Sequence, residues 1–119
     1  MKKFALTSLI AIATMTGAVS ANAMTPKTVN YTCQGGKSLN VKYNFNSEMP
    51  TKATAKLNGA TRVLAYNKAH SDSTGTTFGG GKGYMISADY MDVNNYNQVS
   101  LGTITSPSGK IIYKDCNPN

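Results

Sequence analysis

Residues 71–84 of this 119-residue chain, SDSTGTTFGGGKGY, combine residue types that could bind a partner closely. The segment holds six hydroxyl side chains, Tyr84 included, five glycines and one cation, Lys82. Glycine lets the backbone approach a partner, and hydroxyl groups donate and accept hydrogen bonds without bulk. Because Lys82 lies between two glycines, its ammonium group could enter a cleft. The alternative is a flexible hairpin loop with a solubilising lysine, since loops rich in glycine and serine are common.

The residues that most enzymes require are scarce in this sequence, which has one histidine, two cysteines and five acidic residues. His70 precedes Ser71 and Asp72, but sequence neighbours are rarely aligned as the members of a catalytic triad. Asp89 and Asp92 are the only closely spaced carboxylates, and no apolar neighbour would keep one protonated for glycoside hydrolysis. The spacing of a phosphate-binding P-loop is also absent. We therefore expect a binding protein, not an enzyme, with no metal or cofactor.

Short alternating segments at near-regular spacing must position this loop. In residues 38–45 the apolar residues fall on one face and the polar residues on the other, which predicts a half-buried strand. Asn58-Gly59 tolerates the positive φ of a tight hairpin turn. About eight such strands without helical periodicity predict an all-β fold, a small antiparallel barrel or sandwich. The predicted strands cover residues 29–33, 38–45, 53–57, 61–66, 76–78, 84–90, 98–105 and 111–116.

The interior of an eight-stranded barrel is barely wide enough for its own side chains, so a ligand cavity is not required. We expect most tyrosines to pack with the hydroxyl group at the rim. Nine side chains are predicted to fill the interior: Tyr31, Leu39, Val41, Phe45, Leu57, Val63, Ile86, Leu101 and Ile112.

Residues 1–23 have the pattern of an export signal: a basic start, an apolar run over residues 4–19, and the small-x-small sequence Ala21-Asn22-Ala23. A membrane-spanning helix is the alternative, but polar residues interrupt the run and it is short against the roughly 20 residues that a span requires. We therefore predict a signal peptide over residues 1–23 and one mature domain over residues 24–119. The mature protein is expected in the periplasm, on the outer-membrane surface or secreted, with no integral membrane segment.

Removing Lys2 and Lys3 leaves 12 − 2 = 10 basic against 5 acidic side chains, a net charge of +5. Such a surplus can attract acidic glycans, anionic lipid or nucleic acid. The lysines are dispersed along the sequence, however, and charged residues usually belong to a solvated face. We therefore favour a solvated surface over a dedicated polyanion site, and we expect no nucleic-acid partner.

Cys33 and Cys116 lie near the two ends of the mature chain, and an exported protein meets an oxidising environment. Two thiols with one distant histidine do not make a zinc site, and a nucleophilic cysteine needs a nearby base. We therefore predict one disulfide between them, which would fasten the first strand to the last.

The sequence also resembles a known family. Residues 31–37 (YTCQGGK), residues 41–43 (VKY) and residues 114–116 (KDC) are similar to those of the adhesin complex proteins of Gram-negative bacteria, which are relatives of the periplasmic and membrane-bound inhibitors of C-type lysozyme. The resemblance covers essentially the whole mature chain and both cysteines. It implies a flattened, eight-stranded antiparallel barrel, in agreement with the strand pattern.

The resemblance further implies that the chain inhibits C-type lysozyme. The inhibitors carry a Ser-Gly step followed by an aromatic residue, and a Lys-Gly step. Thr74-Gly75 with Phe78 approximates the first motif, with threonine for serine, and Lys82-Gly83 matches the second. Lys82 would then enter the enzyme's cleft between its two carboxylates while Thr74, or Ser73, binds one of them. The expected lysozyme-binding residues are Ser73, Thr74, Gly75, Lys82, Gly83 and Tyr84.

Adhesion is the competing function. A basic barrel with exposed tyrosines could bind host cells, acidic glycans or matrix proteins, as the name of the similar family suggests. The dependence on ionic strength distinguishes the two functions, because attachment through lysines weakens as ionic strength rises. Inhibition of a basic lysozyme by a basic protein should instead improve as salt rises from low values.

Overall fold

The computed structural model describes residues 24–119, so the predicted signal peptide lies outside the described residues and stays a prediction. These residues form eight strands and three short 3-10 turns, at Gln34–Gly36, Lys68–His70 and Tyr96–Gln98. The strands are β1 (Lys27–Thr32), β2 (Ser38–Asn46), β3 (Met49–Leu57), β4 (Ala60–Ala65), β5 (Gly75–Gly79), β6 (Met85–Asp89), β7 (Leu101–Thr105) and β8 (Ile111–Pro118). The all-β prediction is confirmed. No helix within residues 24–119 is long and apolar enough to cross a bilayer.

All eight strands belong to one antiparallel sheet with the order β4-β3-β2-β1-β8-β7-β6-β5. The outermost strands, β4 and β5, approach each other through an antiparallel bridge between Tyr66 and Phe78. The sheet is therefore a nearly closed barrel, as predicted. Asn58 and Gly59, with φ of 51° and 82°, form the tight β3–β4 turn that the sequence indicated.

The junction between β1 and β8 is short. Only two residue pairs join these strands, Tyr31 with Pro118 and Thr32 with Asn117. The disulfide between Cys33 and Cys116 lies immediately beside these pairs, with a Cα–Cα distance of 3.9 Å. The predicted disulfide is therefore confirmed, and it fastens the chain's first strand to its last.

Most of the predicted interior is buried, but two members of the set differ. Val63 is 59% exposed and Ile112 is only partly buried. In β4 it is Arg62 and Leu64 that face inward, so the alternation turns Val63 outward. An apolar run such as Val63-Leu64-Ala65 does not reveal which face is buried. The remaining predicted side chains lie in the core, together with Tyr43, Phe78, Met91 and Ile104.

Two tyrosines depart from the expected rim position. Tyr31 and Tyr43 are fully buried, and their hydroxyl groups form a hydrogen bond of 2.6 Å with each other. Each hydroxyl therefore finds its partner inside the barrel. Burial raises the pKa of Tyr31 to about 12 and raises that of Tyr43 further, so both phenols are held neutral.

Because successive strands run in opposite directions, successive connections lie at opposite ends of the barrel. We call one end the hairpin end; it carries the β1–β2, β3–β4, β5–β6 and β7–β8 connections at residues 33–37, 58–59, 80–84 and 106–110. The other end, the loop end, carries the connections at residues 47–48 and 90–100 and the last residues, 72–74, of the β4–β5 connection, whose first residues run beside β5.

Candidate functional site

Lys82 lies at the tip of the β5–β6 connection, which we call the Lys82 turn (residues 80–84). Hydrogen bonds from Gly80 N–H to the Tyr84 carbonyl and from Gly83 N–H to the Gly80 carbonyl close this turn. Gly79, Gly80 and Gly81 all have positive φ, a conformation that glycine adopts without strain. Lys82 is exposed, and within residues 24–119 its ammonium group has no hydrogen-bond acceptor or ion-pair partner.

Contacts with the neighbouring hairpin hold the base of the Lys82 turn. The Arg62 guanidinium lies 4.2 Å from the centroid of the Tyr84 ring, a cation-π contact. The Tyr84 hydroxyl accepts a hydrogen bond of 3.0 Å from the Asn58 side chain. Asn67 donates to the Gly79 carbonyl at 2.7 Å. The turn therefore presents Lys82 from a base that is tied to β3–β4, unlike a free loop.

The hydroxyl-rich turn Ser73–Gly75 lies at the loop end and is organised by Asp72. One carboxylate oxygen of Asp72 accepts hydrogen bonds from the Thr74 hydroxyl at 2.6 Å, the Thr74 N–H at 2.8 Å and the Gly75 N–H at 3.1 Å. The hydroxyl and N–H of Thr74, followed by the N–H of Gly75, lower the pKa of Asp72 below its ordinary value. The Thr74 hydroxyl therefore already has a partner inside the chain, and Ser73 is exposed beside it.

The structure does not bring the two predicted motifs together. Thr74 immediately precedes β5, and Lys82 follows it, so the whole strand separates them. Its five residues span about 13 Å at the rise of an extended strand. Gly83 and Tyr84 accompany Lys82 at the hairpin end, whereas Ser73 and Gly75 accompany Thr74 at the loop end.

Other hydroxyl groups of the segment have structural partners. Ser71 donates to the Asn67 carbonyl at 2.7 Å and accepts from the Thr77 N–H at 2.9 Å. The buried Thr76 hydroxyl accepts from the Met91 N–H at 2.9 Å. These hydroxyls connect β5 to its neighbouring loops and are not available to a partner. No group of three or more His, Cys, Asp or Glu side chains within residues 24–119 is arranged to hold a metal ion.

Half of the cations in residues 24–119 gather at one end of the barrel, which the dispersed sequence positions did not reveal. The hairpin end carries or adjoins five cations: Lys37, Lys56, Arg62, Lys82 and Lys110. Of the five carboxylates, Glu48, Asp72, Asp89 and Asp92 lie at or beside the loop end, whereas Asp115 neighbours Cys116, whose disulfide partner Cys33 begins the β1–β2 connection. The hairpin end is therefore suited to an acidic partner or an acidic cleft.

Comparisons with known proteins agree on one family. Residues 27–118 match the family model Nm-ACP, described as an ACP-like domain. Among solved structures, the chain is similar to the Adhesin Complex Protein from Neisseria meningitidis, with 37% sequence identity and a TM-score of 0.73. That match covers 79% of this chain and 100% of the other. No curated protein matches this chain.

Proposed function

This chain belongs to the ACP-like domain family, and we propose that it is a non-catalytic binding protein that inhibits C-type lysozyme through the Lys82 turn. The observation that supports this function best is an exposed ammonium group on an anchored turn. Lys82 has no partner for its charge within the described residues, and the position of a Cβ atom at the preceding Gly81 is open, with nothing within 4 Å. A partner that supplies carboxylates would complete this site.

The catalytic cleft of a retaining glycosidase supplies such carboxylates. Its two carboxyl groups lie roughly 5–5.5 Å apart and flank the bond that is cleaved. An ammonium group between them forms charge-assisted hydrogen bonds and occupies the position of the substrate. Removing one member of a buried, hydrogen-bonded charge pair costs about 2–5 kcal/mol, which corresponds to roughly 30-fold to 5,000-fold in affinity.

The positions of the two turns divide the proposed contacts. Lys82 and Thr74 lie at opposite ends of β5, and the Thr74 hydroxyl is already bound to Asp72, so the Lys82 turn is the better candidate for the space between the two carboxyl groups. We therefore assign Lys82, Gly83 and Tyr84 to the cleft. Ser73, Thr74 and Gly75 are proposed as a separate contact with the enzyme outside its two carboxylates, and Thr74 takes part there while its hydroxyl remains bound to Asp72.

The charge of the hairpin end makes the inhibition sensitive to salt. A C-type lysozyme is itself basic, so its surface repels the five cations of this end while its cleft attracts Lys82. Charges further apart than about 8 Å are largely screened at physiological ionic strength. Raising salt from low values should therefore accelerate association, until screening also weakens the pair in the cleft.

A lysozyme assay on suspended cell walls tests the proposal. Lys82→Met keeps the unbranched stem and removes the charge, and it should raise the concentration needed for half inhibition by at least roughly 30-fold. Lys42→Met is the matched control, because Lys42 is also exposed but lies on β2, which pairs with β1 and β3 and is not a neighbour of β5. Equal inhibition by the wild-type protein and Lys82→Met would refute insertion of Lys82.

Adhesion is a second candidate, favoured by the five cations gathered at the hairpin end and by the name of the similar Neisseria protein. In this function the protein is exported to the cell surface and the hairpin end binds acidic glycans of host cells or matrix. Attachment of labelled protein to epithelial cells should fall when acidic glycans are removed enzymatically, and it should fall steadily as salt rises. Attachment that is indifferent to both treatments would exclude this function.

A further inference from the structure

The junction between β1 and β8 opens into a groove at the hairpin end. Because these strands pair only through two residues each, residues 111–115 of β8 have no ladder partner on the β1 side. The start of β2, the β3–β4 turn and the start of β8 border an open space of about 660 Å³, which we call the seam groove. Its size lies within the range of roughly 300–1,000 Å³ that is typical of ligand sites.

Three lysines line the seam groove: Lys37, Lys56 and Lys110. No carboxylate lies among the lining residues, and within residues 24–119 none of the three forms an ion pair. They approach from the β1–β2, β3–β4 and β7–β8 hairpins, so the topology gathers charges that are far apart in the sequence. Three like charges around one open space favour an anionic occupant.

Lys37 is held in place across the groove. Its ammonium group donates a hydrogen bond of 2.7 Å to the Ile112 carbonyl and lies 4.7 Å from the centroid of the Tyr113 ring. One of the three ammonium donors is therefore satisfied by the carbonyl, which leaves two for a ligand. A cation fixed in this way loses little side-chain entropy when it binds.

The other lining residues indicate the chemical class of the ligand. The amide side chains of Asn40 and Asn58 can bind hydroxyl groups, and Ile111, 51% exposed, offers an apolar contact. Nucleic-acid bases stack on successive aromatic side chains, but Tyr113 is the only aromatic residue within residues 24–119 that lines the groove, and Lys37 covers one face of its ring. We propose that the seam groove binds an acidic oligosaccharide, with its carboxylate or sulfate groups on the lysines and its hydroxyl groups on the amides.

This site gives adhesion a ligand class and a location, so it rests on the second function, and it is independent of the insertion of Lys82 into lysozyme. No residue of the Lys82 turn lines the groove, but Asn58, which does, also donates a hydrogen bond to the Tyr84 hydroxyl. The test therefore substitutes Lys56 and Lys110 and leaves Asn58 unchanged, so that losses of oligosaccharide binding and of lysozyme inhibition can be read separately.

Calorimetric titration with a size-defined heparin tetrasaccharide tests the seam groove. The paired substitution Lys56→Gln with Lys110→Gln should weaken binding by about tenfold or more, because it removes two of the three lining charges. Lys42→Gln with Lys52→Gln is the matched control: it changes the net charge equally, at exposed strand positions outside the groove. We expect this control to bind within about threefold of the wild-type protein, since its charges act only at longer range.

Several outcomes would overturn the site. Equal losses in both paired variants would mean that binding follows net charge alone. Tight binding of neutral maltotetraose would exclude an acidic ligand, and tighter binding of a DNA oligonucleotide of equal charge would replace the oligosaccharide with nucleic acid. Absence of tetrasaccharide binding refutes the groove whatever the protein does to lysozyme. Binding through Lys56 and Lys110 without attachment to cells would refute adhesion and leave the groove in place.

Discussion

Substituting Gly79 tests how the Lys82 turn is held. Gly79 ends β5 with a φ of 74°, and a Cβ atom built there overlaps the backbone carbonyl of Tyr84. Gly79→Ala therefore adds a cost of about 1–2 kcal/mol for the left-handed conformation. The hairpin must also open to relieve the overlap, which weakens the hydrogen bond from Gly80 to the same carbonyl by about 0.5–1.5 kcal/mol. We expect the free energy of unfolding to fall by roughly 1.5–3.5 kcal/mol in total.

Gly81→Ala is the matched control for this substitution. Gly81 also has a positive φ, 63°, but a Cβ atom built there has nothing within 4 Å. The free energy of unfolding of Gly81→Ala should therefore fall only by the conformational cost, about 1–2 kcal/mol. Urea unfolding followed by circular dichroism measures both losses, and the lysozyme assay shows whether displacement of the turn also weakens inhibition. Equal stability of the two variants would refute the claim that the Tyr84 carbonyl restrains this turn.

Three further outcomes concern the barrel. Replacing Cys33 and Cys116 together by serine should lower the free energy of unfolding by about 4–5 kcal/mol on the chain-entropy model for a separation of 83 residues, as urea unfolding would show. The free energy of unfolding should also fall as the pH rises from about 10 towards 12. In the fold the pKa of Tyr31 is raised to about 12 and that of Tyr43 is raised too, so both phenols keep protons that they lose in the unfolded chain. With phenylalanine at both positions this fall should be smaller. Thr76→Val should cost about 1–3 kcal/mol by unfolding, since a buried backbone N–H loses its acceptor.

Local patterns predicted much of the fold. The alternation in residues 38–45 and the Asn58-Gly59 turn depend on neighbouring residues only, and the structure confirms both. The face of β4 could not be predicted, because Val63 and Leu64 are equally apolar and only pairing with β3 decides which one points inward. The local sequence therefore predicts where the strands lie, but not which face of every strand is buried.

The positions of the candidate site residues could be predicted only from the order and direction of the strands. Residues 71–75 and 80–84 look adjacent in the sequence, but one segment precedes β5 and the other follows it, so they lie at opposite ends. The same alternation gathers Lys37, Lys56 and Lys110 at one end although they are distant in the sequence. Counting connections from one strand to the next would have found both results, because alternate turns of an up-and-down sheet share an end.

The most direct test of the central proposal is competition for the cleft. Calorimetric titration of this protein into a C-type lysozyme should give measurable binding that disappears when a substrate-like chitooligosaccharide fills the enzyme's cleft. Lys82→Met should reduce the affinity for the empty cleft by at least roughly 30-fold. Unchanged affinity in the presence of the oligosaccharide would place the contact outside the cleft and contradict the proposed role of Lys82.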